Sequence, residues 1–93
     1  MKQTKFFTLT KVGVVPVTGY FFHGFGYYKN GSRWFAIHRD TGIAVAYEPT
    51  LKAAQAAVQA KRTIIAEILD QNEELQRKFY SEINLYLQNG GTI

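Results

Sequence analysis

From Leu51 to Gln88 the chain contains neither glycine nor proline. As one α-helix this stretch would be ~57 Å long at ~1.5 Å per residue. Residues 1–47 are rich in Val, Thr, Phe, Tyr and Gly, and the strands they favour are usually only ~20 Å long. A single rod would overhang any sheet built from them, so a break is expected. Asp70-Gln71-Asn72-Glu73 offers one, with Asp70 as the cap and Glu73 in the box position three residues on. The spacing predicts two C-terminal helices, over residues 51–69 and 72–88, the first capped by Thr50. The first would present Leu51, Ala54, Val58, Ile65 and Ile68, an alanine-rich stripe able to sit close to a sheet. The second would present Leu75, Phe79, Ile83 and Leu87. The competing reading is one kinked helix whose distal half protrudes and pairs with a second copy. The 3–4 spacing does run through Lys61 and Asn72 as its polar breaks.

Strand formers followed by helix formers read as an α+β fold. The expectation is a single domain, residues 1–93, with a four-stranded antiparallel sheet over residues 4–47 and both helices packed on one face. Thr4–Val12 alternates as a first strand. In Gly13–Gly19, Pro16 forbids a central ladder position, so this segment reads as a connection or an edge. Tyr20–Tyr28 is the second strand, Arg33–Arg39 the third and Ile43–Tyr47 the fourth. Asn30-Gly31 reads as a two-residue hairpin loop and Asp40-Thr41-Gly42 as a second tight turn.

That hairpin would place His23 opposite His38, with Cα atoms ~5.5 Å apart. Residues facing each other share a side of the sheet. One side then collects Phe22, Gly24, Gly26 and Tyr28 with Arg33, Phe35, Ile37 and Arg39, joined by Ile43, Val45 and Tyr47. Its large residues would lie over the two glycines, and it is the side expected beneath the helices. The other collects Phe21, His23, Phe25 and Tyr27 with Trp34, Ala36, His38 and Asp40, completed by Ala44 and Ala46. Both sides are apolar, and two short helices cannot easily cover both.

Composition narrows the function classes. Apolar residues are 46% and charged residues 19%, with two prolines, a globular balance that excludes a disordered tail, a collagen or a coiled-coil rod. There is no cysteine, which removes disulfides, thiolate metal sites and thiol nucleophiles. No apolar run approaches the ~18 residues of a membrane span. Met1-Lys2-Gln3-Thr4-Lys5 lacks the long apolar stretch of a signal peptide, so the expected location is the cytoplasm, without membrane contact. Eleven Lys and Arg against seven Asp and Glu give a net charge of +4. The charge is uneven: residues 1–47 carry six cations and one acid, Asp40, while residues 48–93 carry five cations and six acids. No run of five Lys or Arg occurs, so attraction to polyanions is weak.

Several short motifs fail on context. Asp40-Thr41-Gly42 is the aspartic-protease tripeptide, but Arg39 precedes it and Ile43 replaces the small residue expected. His38-Arg39-Asp40 spells the kinase catalytic tripeptide without its asparagine, in a chain far too short for that fold. Asn30-Gly31-Ser32 fits a glycosylation sequon and is read as a turn. His23-Gly24-Phe25-Gly26-Tyr27-Tyr28 echoes the centre of the RNA-recognition octamer over four residues. His23 and Asn30 break the pattern, the βαββαβ order is missing, and the family is not assigned. His23 and His38 lack a third ligand at metal-like spacing. No catalytic residue, metal site or cofactor is expected.

The expected functional surface is the aromatic side of the sheet: Phe25, Tyr27 and Trp34, with His23, Arg33 and His38 at its margin. The reading is a non-catalytic binding protein that contacts a protein partner or a second copy of itself. The alternative is a single-stranded nucleic-acid binder using the same rings, with Lys29, Arg33 and Arg39 on phosphates. The competing account of these rings is a second small core.

Overall fold

The computed structural model describes residues 3–92; Met1 and Lys2, which entered the reading of the N-terminus, lie outside the described residues. The strand half forms β1 (Gln3–Thr10), β2 (Gly13–Phe22), β3 (Phe25–Asn30), β4 (Arg33–His38) and β5 (Ala44–Glu48). Each pairs antiparallel with the next in chain order. The α+β class with C-terminal helices is as expected, but the sheet has five strands, not four.

The additional strand has two local causes. Gly13–Gly19 belongs to β2 and pairs with β1 alone, because β3 takes only Tyr20–Phe22. Pro16 therefore sits where one side of the strand is open, the edge position a proline tolerates. Tyr20–Tyr28 is divided by a turn at His23-Gly24, whose φ values are 51° and 85°, positive at both positions as a type I′ hairpin requires. Histidine is among the few residues that enter this region at modest cost.

The β3–β4 hairpin turns at Gly31-Ser32, two residues from the expected register: Asn30 faces Arg33, and His38 faces Phe25 instead of His23. A two-residue shift keeps every side chain on its own side of the sheet. Phe25, Tyr27, Trp34, Ala36 and His38 therefore still share one side, and Gly26, Tyr28, Arg33, Phe35 and Ile37 the other. The expected histidine pair does not exist, because His23 has become a turn residue.

The helical half comprises α1 (Leu51–Ala60), α2 (Arg62–Ile65), a π-helical turn over Ala66–Asp70, and α3 (Glu73–Gln88). Three α-helices replace the expected two, since the path is irregular at Lys61. Thr50 Oγ1 accepts the Ala53 N–H at 3.0 Å, capping α1 as expected. The second break lies at Gln71-Asn72, in the anticipated tetrapeptide. Its cap is Asn72, whose Oδ1 accepts the Leu75 N–H at 3.0 Å, which leaves Asp70 to another partner. The longest dimension of the molecule is 36 Å, too short for an unbroken ~57 Å helix.

Helices α1 and α2 and the π-helical turn cover the side expected to be open, whereas Phe79 and Ile83 of α3 lie over Phe6 and Ile37 on the other. The helices therefore do not share one face of the sheet, contrary to expectation. Phe25, Tyr27, Ala36 and Ala46 form the core with Ala54, Val58, Ile65 and Leu69. Alanine decides this. Ala36 and Ala54 are both fully buried, and small residues on both surfaces let a helix approach the sheet closely, as bulky rings would not. Ile68, expected on the buried stripe, is exposed, and Leu69 takes its place. The wider i→i+5 turn brings the fourth residue after Ile65, not the third, back under the helix.

At its other end the sheet curls. The Leu9 N–H and the Thr8 hydroxyl both donate to Gly42 O, at 2.9 and 3.2 Å, so β1 meets the β4–β5 loop. A Cβ on Gly26 would lie 2.6 Å from the Phe6 ring, so the glycine is covered from β1 and not by its β4 neighbours. Gly42 has φ 68°, and a Cβ there would lie 2.3 Å from the Phe79 ring. Here glycine serves both the turn and the seating of α3, whose Tyr86 also packs edge-on against Phe7 at 5.5 Å.

Candidate functional site

The side of the sheet away from α1 carries a row of rings. Phe6 packs edge-on against Phe21 and Tyr28, with centroids 5.1 and 6.2 Å apart. Tyr28 stacks on Phe35 at 5.3 Å and Phe35 on Tyr47 at 4.3 Å. The Arg33 guanidinium closes the row, 4.7 Å from the Tyr47 centroid, while its Nη2 donates to Tyr47 O at 3.3 Å. Among the described residues Arg33 Nε is buried without a hydrogen-bond partner, and the guanidinium's position over the ring is what a cation–π contact requires. Cross-strand pairing places the residues: Tyr28 faces Phe35, which faces Tyr47, across β3, β4 and β5. Phe21 and Tyr47 are 36% and 47% exposed. Burial raises the Tyr28 phenol above its usual value, so that ring stays neutral across the physiological range.

The geometry limits what the row can bind. Tyr28, Phe35 and Tyr47 spend their faces on one another, and Arg33 covers Tyr47, so they offer edges outward. A nucleobase needs a ring face, whereas an apolar protein surface packs equally well on ring edges. Strand addition at β5 is also obstructed, because two of its carbonyls are already occupied: Tyr47 O accepts from Arg33 and Val45 O accepts from Lys61 Nζ at 3.0 Å.

The residues expected to form the surface are dispersed. Phe25 and Tyr27 are core residues beneath α1, Tyr27 only 2% exposed, and burial raises its phenol pKa against the opposing field of Arg62. Trp34 is half-buried against the same core and stacks on Tyr20 at 6.2 Å. His23 stands in the β2–β3 turn. Arg33 alone reaches the exposed ring row. Of the other two cations, Lys29 faces Trp34 and so lies on the opposite side of the sheet from Arg33. Arg39 lies beyond β4, where its Nε donates to Asp40 at 3.2 Å.

His38 forms the second polar cluster. Its Nε2 lies 2.6 Å from Asp70 Oδ1 and its Nδ1 2.9 Å from Thr41 Oγ1. A carboxylate only accepts, so Nε2–H donates to Asp70, while Nδ1 pairs with the Thr41 hydroxyl. A Thr–His–Asp string has the composition of a nucleophilic triad, but it points the wrong way. Thr41 is 1% exposed, so its hydroxyl meets no substrate, whereas the Asp70 side chain is 53% exposed. The string ties the end of β4 to the π-helical turn. Among the described residues no three His, Asp or Glu converge on a metal position, and no helix is long and apolar enough to cross a membrane.

The sequence held a signal for the covered side: Ala36 and Ala46, both in the core, match the alanine stripe of α1, whereas the row Tyr28, Phe35 and Tyr47 holds no alanine. His38–Asp70 had no such signal, since 32 residues separate its members. No family model, curated protein or solved structure matches the chain significantly.

Proposed function

We propose that this chain is a non-catalytic binding protein whose working surface is the row Phe21, Phe6, Tyr28, Phe35 and Tyr47, ended by Arg33. Its occupant is the apolar surface of a protein, either a partner or a second copy. The observation that carries this reading is the ring stacking: a row open to solvent at Phe21 and Tyr47, with its ring faces already paired, suits an apolar protein contact better than a base. The separation of Lys29, Arg33 and Arg39 favours the same choice, because cations on different sides of a sheet make no single phosphate track. The polar string at His38 is assigned a structural part, and no reaction is assigned to it.

The test compares wild type with a Phe21→Ser, Tyr47→Ser double variant, both positions being exposed. Sedimentation gives the mass over a concentration series, and affinity capture from cell extract gives the set of retained proteins. The reading expects the variant to lose self-association, or a specific retained protein, by about tenfold or more, with little change in melting temperature. Identical mass and identical retained proteins for both chains would overturn it. Binding of a single-stranded oligonucleotide that the variant loses, and that weakens steeply with salt, would put the nucleic-acid reading in its place.

A further inference from the structure

We propose that a second site lies beside the ring row: a cleft between β1 and the end of β4, roofed by α3, that binds a small apolar carboxylate. The cleft has a volume of about 230 Å³. Phe6, Phe7, Ile37, Phe79 and Ile83 line its apolar part, and Phe21 continues the lining toward the row. Three of these walls are held before any ligand arrives. Ile37 is 1% exposed, Phe6 is seated on Gly26 and Phe79 on Gly42. A preformed apolar wall costs little ordering on binding.

Charge selects the ligand. The cleft is also lined by Lys5 and Arg39 and, among the described residues, by no acid. Asp40, the nearest carboxylate in sequence, is held by Arg39 Nε at 3.2 Å and by the Tyr80 hydroxyl at 3.2 Å, and it is not part of the lining. The bond to Asp40 uses Nε and leaves the two terminal nitrogens of Arg39 for a second carboxylate, which a guanidinium can hold in paired fashion. Lys5 supplies a second positive charge at the same opening.

Size sets the rest. An apolar protein cavity of ~150 Å³ takes up benzene, so this cleft has room for one ring and a tether of two or three carbons. A neutral ring would occupy the space against Phe6, Ile37 and Phe79, with the carboxylate at Lys5 and Arg39. 3-Phenylpropanoate has these dimensions, and 3-phenylpropanamide is its uncharged counterpart.

The experiment is an NMR titration of the full chain with each compound, following backbone amides and the methyl groups of Ile37 and Ile83. The expected result is a Kd near 1 mM or tighter for the acid. Shifts should concentrate at Phe6, Ile37, Phe79 and Ile83, and the amide should bind about fivefold to tenfold more weakly. Arg39→Gln, at an exposed position, should remove most of that preference while leaving amide binding unchanged. The Tyr47→Ser protein, altered in the ring row but not in the cleft lining, should keep its preference for the acid, which separates this site from the ring row. The absence of localised shifts at 10 mM acid, or equal affinity for acid and amide in the wild-type chain, would overturn the proposal.

Discussion

The two sides of the sheet are built from similar aromatic residues and meet opposite fates. Beneath α1, Phe25 and Tyr27 flank Ala36 and Ala46, and the helix brings Ala54 and Val58 against them. On the other side Tyr28, Phe35 and Tyr47 follow one another across adjacent strands with no alanine between them. The count of rings does not distinguish a core from a surface. Room for a helix backbone does. Where small residues leave a trough, the helix enters and the rings become its walls; where rings fill every position, they stack on each other, half-buried at Tyr28 and Phe35 and exposed at Tyr47.

This contrast can be broken most severely at Tyr27. Tyr27→Ala should cost about 3–5 kcal/mol of folding stability, measured by urea unfolding, because it opens a cavity beneath α1. Filling the trough should cost less: Ala36→Leu is expected to destabilise by about 1–3 kcal/mol through overpacking against Ala54. A neutral result there would show that the helix does not depend on the close approach.

Alkaline pH offers a third handle. Burial raises the Tyr27 pKa above its usual value near 10, so its protonated form is favoured in the folded state. The resulting stability is present in full below pH ~10 and is lost as pH rises from there through the folded pKa. The slope is at most ~1.4 kcal/mol per pH unit for this group. Tyr27→Phe should flatten the fall in unfolding free energy above pH 10.

Smaller effects are expected away from the trough. Asp70→Asn replaces a charged acceptor that is half in solvent, so a loss of about 1 kcal/mol is expected. Amide exchange should quicken chiefly in residues 66–72, where the bond to His38 holds the π-helical turn. Tyr47→Ala, on the exposed row, should change stability by about 0.5 kcal/mol or less. A loss above 2 kcal/mol would mean that the row is itself a core, and the distinction between the two sides would fall.

Local chemistry was legible in the chain. Thr50 caps α1 because its hydroxyl lies within three residues of the amide it satisfies. The break at Gln71-Asn72 follows from a polar tetrapeptide between apolar stripes, although the neighbouring Asn72, not Asp70, supplies the cap. Which residues of β3 and β4 share a side was also readable, because strand parity survives a two-residue register shift. Elsewhere it was not: the turn at His23-Gly24 exchanges the sides of Phe21 and Phe22, and the bulge in the β4–β5 pairing sets Ala44 opposite Ile37. The turn at His23-Gly24 was itself not readable, since a histidine at positive φ carries none of the strength of an Asn-Gly signal.

What the sequence determined by itself was the succession of strands followed by helices, the helix break and which β3 and β4 residues share a side, all set by backbone preferences acting over a few residues. The tertiary structure alone decided which side the helices cover, because that depends on volumes matched between Ala36 and Ala54, far apart along the chain. It also decided that Asp70 meets His38 and that β1 returns to Gly42. Such contacts exist only once a curled sheet and a broken helix have brought distant residues within hydrogen-bonding distance.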